Sequence, residues 1–328
     1  MRATLRVFHA FSLTAALLAG CGNPKDDVPP SPPDLATAPD LGIAARKDIV
    51  DTAIGAGQFT TLVAAVQGAG LEQTLRGTGP FTVFAPTDAA FQKLPSFLLT
   101  KLVTQPYKTE LGLILKYHVL AGQVKAADVL GKKQDVTTVA AAPLNVDGNG
   151  GKVVLNGSIN VTKADVLAKN GVIHVIDGVL LPTLVDTAVG YDDGPVKFST
   201  LVAAIKAAGL VDTLNGAGPF TVFAPTDAAF AALKASLGDA AFNALLANKA
   251  KLTRVLTYHV LAGAVYQKDV ASGAVTTVET NKLTLAVAAG KVTIADSTAS
   301  AANVVFTDVP GRNGVIHVID KVLIPPGL

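Results

Sequence analysis

Residues 79–91 read GPFTVFAPTDAAF, and residues 218–230 read GPFTVFAPTDAAF again, 139 positions further on. Gly79-Pro80 marks a turn. Phe81-Thr82-Val83-Phe84-Ala85 is rich in β-branched and aromatic residues and reads as a strand. Pro86 ends it. Thr87 is suited to cap a helix, and Asp88 would sit in the first helical turn, where negative charge is favoured. Phe91 falls at the fourth helical position and can pack back towards Pro86 as a hydrophobic staple. Thr226 and Asp227 take the same places in the second copy. The thirteen letters therefore spell a strand that turns sharply into a capped helix, built twice.

The duplication extends outward from this corner. FTTLVAAVQGAGLEQTL (59–75) matches FSTLVAAIKAAGLVDTL (198–214) at the same offset. Lys116-Tyr117-His118-Val119-Leu120-Ala121-Gly122 faces Thr257-Tyr258-His259-Val260-Leu261-Ala262-Gly263, offset 141. NGVIHVIDGVLLP (170–182) faces NGVIHVIDKVLIP (313–325), offset 143. The offset drifts only between blocks, where loops tolerate insertion. A period near 140 exceeds any solenoid unit and signals tandem duplication of a whole domain. Pro182 closes the first copy and Thr183-Leu184-Val185-Asp186 opens the second. With no Gly/Ser linker between them, the two copies are expected to have a narrow range of mutual orientations. The expected domains are 45–182 and 183–328.

Within one copy, Phe59, Leu62, Val63 and Val66 recur at helical spacing, and Leu111, Ile114 and Leu115 mark a second helical face. Pro143 to Val146 and Lys152 to Leu155 flank a glycine-rich turn. Lys282 to Val287 and Lys291 to Ala295 do the same in the second copy. Val172-Ile173-His174-Val175-Ile176 is apolar enough for a strand covered on both faces. Helices dominate the first half of each copy and strands the second, which predicts an α+β fold.

The TVFAPTDAAF segment, the Tyr-His pair and the closing NGVIHVID segment, each present twice and in order, resemble the three signatures of the fasciclin domain. The likeness runs from about residue 45 to 325. It implies, for each copy, a wedge-shaped, β-sandwich-like sheet core with several packed helices. It also implies a secreted or membrane-anchored protein acting in adhesion.

The N-terminus points the same way. Arg2 and Arg6 precede a short apolar run, Val7 to Ala19, too short for a bilayer span. It ends in Leu18-Ala19-Gly20-Cys21, and Cys21 is the lone cysteine of the chain. This resembles a bacterial lipoprotein signal peptide (1–20), which implies cleavage before Cys21 and lipidation of that residue. Residues 21–44 are then an anchor and tether. Six prolines in 22–41 favour an extended arm, reaching roughly 60 Å at about 3.1 Å per residue. Gly22, where an Asp would retain a lipoprotein at an inner membrane, favours an outer-membrane or cell-surface site.

Composition excludes several classes. Half of the 328 residues are hydrophobic and 16% are charged, so the chain is not a disordered one. It has no Trp, and 5% of residues are aromatic, which argues against a stacking platform for sugars or bases. The net charge of +2 comes from Arg2 and Arg6; beyond residue 20 the charges balance. No electrostatic case for nucleic acid exists.

Candidate chemistry is sparse. His118 and His259 follow Tyr117 and Tyr258 in apolar surroundings and read as buried rings that satisfy backbone groups at a helix-to-strand corner. His174 and His317 precede Asp177 and Asp320 by three residues, so a strand points the two side chains to opposite faces and they share no metal. Asp88 and Asp227 are explained as helix-terminal acids. Hydrolase, zincin and nucleotide-binding motifs are absent from the sequence, and no catalytic residue, metal or cofactor is expected. Gln92–Thr109 against Ala231–Lys251, and Val124–Ala142 against Val265–Thr280, differ between copies and are where specificity is expected. The resulting expectation is a non-catalytic, lipid-anchored module that binds a cell-surface or matrix macromolecule. The alternatives are a binder of a small apolar ligand, supported by a dry cavity between sheet and helices, and an envelope hydrolase.

Overall fold

The computed structural model describes residues 46–103, 108–191 and 196–328. The signal segment, Cys21 and the proline-rich arm lie outside the described residues.

The first copy builds seven strands: β1 (Phe81–Pro86), β2 (Val119–Ala121), β3 (Lys133–Thr137), β4 (Pro143–Asp147), β5 (Val154–Leu155), β6 (Ile159–Ala168) and β7 (Gly171–Ile176). They form one sheet in the order β2-β1-β7-β6-β5-β4-β3. The second copy repeats it with β8 (Phe220–Pro225), β9 (Val260–Ala262), β10 (Gly273–Thr276), β11 (Lys282–Ala288), β12 (Lys291–Ala295), β13 (Ala302–Gly311) and β14 (Gly314–Ile319), in the order β10-β11-β12-β13-β14-β8-β9. Helices pack beside each sheet, giving the mixed α+β architecture that the sequence predicts.

The sheet order explains why three separated blocks recur. The TVFAP, Tyr-His-Val-Leu-Ala and NGVIHVI segments are β1, β2 and β7, three neighbours in space. β1 runs parallel to β7 from Phe81↔Gly171 to Pro86↔Ile176, and antiparallel to β2. All six residues of β7 and of β14 are buried, as expected for strands covered on both faces. The glycine that opens each of these strands is required: at Gly171 and Gly314 a Cβ would collide with the carbonyl oxygen of Phe81 or Phe220.

The helices follow their sequence signals. Asp48 caps Ile49–Ala56 by accepting the Asp51 amide, and Thr183 caps Leu184–Gly190 by accepting the Asp186 amide. Thr60–Gly68 buries Leu62 and Val66 beside Phe59, while Val63 is only half-buried. The copies differ after the corner. The helix Asp88–Gln92 has five residues and Asp227–Leu237 has eleven. Pro95, with no amide to donate and a ring that clashes with the preceding turn, prevents the first from running on. The second reads AFAALKASL at the same place and continues to Gly238.

One apolar cluster spans both copies, and further clusters lie within each copy alone. Leu113, Tyr117, Leu144 and Leu155 of the first belong to the same cluster as Leu184, Phe198 and Val309 of the second. The Arg312 amide donates to Pro182 O at 2.8 Å, tying the junction back onto the second sheet.

Candidate functional site

The repeated Tyr-His pair lies where helix Lys108–Tyr117 runs into β2, and where helix Lys249–Tyr258 runs into β9. His118 is 2% exposed. Its Nδ1 lies 2.7 Å from Ile114 O, and its Nε2 accepts the Leu180 amide at 2.9 Å. A nitrogen that accepts from an amide carries no proton, so the ring is neutral with its proton on Nδ1. Burial pulls the pKa down to about 4, against the opposing pull of the Ile114 carbonyl. His259 repeats this with Val255 O at 2.7 Å and the Leu323 amide at 2.8 Å, and burial again brings its pKa to about 4. Leu180 and Leu323 follow the NGVIHVID blocks, so each imidazole joins the second signature to the third. Tyr117 is fully buried and donates to Pro143 O at 2.8 Å while accepting Asn156 Nδ2 at 3.2 Å. Tyr258 donates to Lys282 O at 2.9 Å.

His174 and His317 are occupied in the same manner. Their Nε2 atoms lie 2.9 and 2.8 Å from Val124 O and Val265 O, and their Nδ1 atoms accept the Asp165 and Asp308 amides. Asp177 turns away and accepts the Asn160 amide and side chain, and Asp320 does likewise with Asn303. The strand geometry expected from the sequence separates imidazole from carboxylate.

Thr87 and Thr226 cap their own helices, accepting Ala90 N and Ala229 N at 3.2 Å. Asp88 does something the sequence reading missed: it reaches a different helix. Its carboxylate accepts the Thr60 amide at 3.2 Å, the Thr60 hydroxyl at 2.7 Å and the Thr61 amide at 2.7 Å. Helix Thr60–Gly68 begins at Phe59, which has no side-chain oxygen to cap it. Asp227 takes the Ser199 and Thr200 amides in the second copy. Desolvation pushes the Asp88 carboxyl up, but these hydrogen bonds outweigh it and the net shift is downward; the same balance lowers Asp227. The signal available in the sequence was the apolar Phe at each helix start.

A second group missed from sequence is Asn170 and Asn313, the first letters of the closing signature. Asn170 accepts the Ile49 amide and donates to Leu75 O and Gly77 O. Asn313 accepts the Leu184 amide and donates to Leu214 O and Gly216 O. Each buried amide joins the first helix of its copy to the segment before the corner strand.

The stretches that differ between copies were expected to carry specificity, and the structure turns parts of them inward. Phe97 and Lys101 of the first copy meet Tyr266 and Gln267 of the second. The Phe97 and Tyr266 rings stand edge to face at 5.1 Å, and Lys101 Nζ lies 3.1 Å from Gln267 Oε1 and 3.0 Å from Thr307 Oγ1. Lys101 also ion-pairs with Asp308. The Tyr191 hydroxyl of the second copy donates to Glu110 Oε1 of the first, while the buried Glu110 Oε2 has no partner among the described residues. Burial raises the Glu110 pKa, the Tyr191 hydroxyl opposing it. Leu113 packs so closely on Gly190 that a Cβ there would overlap it.

Chemically, the repeated polar groups hold backbone segments together; their donors and acceptors face amides and carbonyls of the chain. Among the described residues no group of three or more His, Cys, Asp or Glu side chains could hold a metal ion, and no helix is long and apolar enough to cross a membrane.

Comparison with known proteins places these corners in a wider set. The fasciclin domain family matches residues 57–182 and 196–325. Protein sll1483 of Synechocystis is 47% identical over 144 residues, covering 44% of this chain and 74% of that protein. The pig transforming growth factor-beta-induced protein ig-h3 is 29% identical over 258 residues, covering 78% of this chain but 36% of that protein. Among solved structures, the fasciclin domain pair of the insect cell adhesion molecule fasciclin I aligns at a TM-score of 0.39 and 22% identity, covering 82% of this chain and 98% of that one.

Proposed function

Because the chain belongs to the fasciclin domain family, with two domains in tandem, we propose that it is a non-catalytic adhesion module, held at a cell envelope and binding another macromolecule through its exposed surface. Fasciclin domains occur in adhesion molecules such as insect fasciclin I. One observation carries the non-catalytic part. Every imidazole that the two copies share is buried with both nitrogens engaged by backbone groups, leaving no imidazole to exchange protons with a substrate. The joint core supports the adhesive part, because a pair fused through apolar contacts presents its outer faces at a fixed spacing. A fixed pair loses little freedom when both domains engage one partner.

The anchor belongs to the same proposal. Cys21, after Leu18-Ala19-Gly20, takes the acyl chains, and the proline-rich arm holds the pair clear of the membrane, at an outer membrane or cell surface. Acyl chains contribute about 0.8 kcal/mol per buried methylene, so more than one makes a durable anchor. An in-frame deletion of residues 45–328 that keeps the signal and Cys21 should abolish cell clumping and attachment to matrix. Attachment equal to that of the parent strain would reject the adhesive reading. Cys21→Ser should release the intact chain from the membrane fraction, and retention there would reject the anchor.

A further inference from the structure

Asn is followed by Gly at five places in the chain: 149–150, 156–157, 170–171, 215–216 and 313–314. The dipeptide carries a reaction of its own, because glycine has no Cβ to obstruct its amide nitrogen as it closes on the carboxamide carbon of the asparagine before it. The fold decides which of the five can react. Asn170 and Asn313 are buried, each holds three backbone groups, and the glycine after each packs against Phe81 O or Phe220 O. Asn156 is half-buried, donates to the Tyr117 hydroxyl and accepts the Asn145 amide. At Asn215 the nitrogen that would attack is engaged, since the Gly216 amide donates to Thr213 O at 3.2 Å, and the Asn215 carboxamide oxygen is sealed from solvent.

Asn149 differs on each of these counts. It lies in the turn between β4 and β5, where residues 149–152 are all exposed. Among the described residues its side chain meets only Asp147: Nδ2 donates to Asp147 Oδ1 at 2.8 Å, on the oxygen that also accepts the Asn149 amide at 3.0 Å. Two glycines follow, Gly150 with φ 72° and Gly151 with φ 75°, so the backbone that has to fold back carries no Cβ for two residues. The second copy has no counterpart, because its turn reads Ala288-Ala289-Gly290.

We propose that Asn149 is a site of spontaneous covalent modification, converted by water to aspartate and isoaspartate in the folded protein. The Gly150 amide gives up its proton to hydroxide and attacks Asn149 Cγ. A bond forms from that nitrogen to Cγ, the bond from Cγ to Nδ2 breaks, and ammonia leaves a five-membered succinimide behind. Water then opens the ring at either carbonyl. One opening restores the main chain with aspartate, and the other routes the chain through the β-carboxyl group. The sum is carboxamide plus water giving carboxylate plus ammonium, with no change of oxidation state. The new carboxylate faces Asp147, which loses a donor and gains a like charge. Asp147 pairs with Lys133 Nζ at 3.4 Å across β4 and β3, and the Gly148 amide donates to Lys132 O at 2.7 Å. The reaction therefore loosens the outer edge of the first sheet and leaves the second sheet untouched.

The test holds the full chain carrying Cys21→Ser at 37 °C and pH 8.5, digests it with trypsin and follows the five dipeptides by mass. Peptide 134–152 should gain the mass difference between carboxamide and carboxylate, with isoaspartate among its products, at least tenfold faster than any other Asn-Gly site. In urea all five should convert at similar rates, since the fold and not the dipeptide makes the choice. Conversion at pH 6 should be at least tenfold slower, as a hydroxide-driven ring closure requires. Asn149→Gln, which keeps a carboxamide on a longer stem, should slow the change in that peptide at least tenfold. An intact Asn149 in folded protein after the unfolded chain has converted would overturn the site, as would a second dipeptide reacting as fast. Aspartate formed without isoaspartate would overturn the ring. The readouts are masses, so this proposal and the adhesive one fail separately.

Discussion

Lys101 of the first copy ion-pairs with Asp308 of the second, and the carboxylate it meets is 1% exposed. Asp308 sits at a bulge in β13 with a positive φ of 61°, its other oxygen accepting the Gln267 amide at 2.7 Å. The same letter in the first copy, Asp165, holds φ 56° at the matching bulge of β6 and accepts the Ala126 amide, yet it lies exposed. One local motif thus has two fates. In the first copy it secures a loop; in the second it also receives the neighbouring domain.

Removing the ammonium should leave the buried Asp308 charge short of a partner. Lys101→Met is expected to destabilise the protein by about 3 kcal/mol, the range for breaking a buried pair from one side. Lys101→Met with Asp308→Asn should recover most of that loss, since Asn tolerates the left-handed conformation. Asp165→Asn should change stability by about 0.5 kcal/mol or less. Urea denaturation midpoints of the variants check all three.

The apolar cluster that spans both copies predicts one cooperative unfolding event for the pair. Calorimetric and van't Hoff enthalpies should agree for residues 46–328 taken together. Two resolved heat-capacity peaks would contradict the shared core.

His118 and His259 are held neutral, their pKa near 4 against an ordinary value of 6.5. The unfolded chain therefore binds more protons between those values. Their stabilising contribution is complete above pH 6.5 and lost as pH falls towards 4, on the order of 3 kcal/mol for each ring. Asp88 and Asp227, whose pKa values are lowered, add a further loss at more acidic pH. Denaturant midpoints measured from pH 7.5 to 4 should fall, and His259→Gln should show a shallower slope, since His118 and His317, also lowered by burial, remain.

Glu110 has the opposite sign. Its raised pKa means the folded state holds the proton more tightly, so its contribution is complete below the ordinary Glu value and is lost as pH rises through the folded value. Glu110→Gln should match the parent protein near pH 4 and exceed it at pH 8 by about 1 to 3 kcal/mol, the penalty for an unsatisfied buried group. Thermal melting across that range reads the difference. Parallel curves for parent and variant would show that Glu110 is not strained by its burial.

Much of the local architecture was legible in the letters. Phe81 to Ala85 form a strand, Thr87 caps a helix, and Val172 to Ile176 lie buried on both faces, because β-branching, capping oxygens and unbroken apolarity act on the backbone within a few residues. The buried state of His118 was legible too, from its apolar neighbours. The reach of Asp88 to Thr60 was not. Its partner lies 28 residues earlier in the chain, and no local pattern records which uncapped helix end will pass beside a given carboxylate. Asn170 escaped for the same reason, since Asn before Gly also spells an ordinary turn.

The sequence by itself determined that one domain was built twice, that each copy is a strand-to-helix corner joined to apolar strands, and that the repeated histidines belong to the interior. Only the tertiary structure decided how the copies treat their shared letters. Gly190 receives Leu113, while its counterpart Gly55 meets nothing nearer than Lys47 Nζ at 3.9 Å. Asp308 is buried where Asp165 is open. Short-range sterics and hydrogen bonding are written residue by residue, whereas burial depends on which surface arrives from elsewhere, and identical segments have no means of recording that difference.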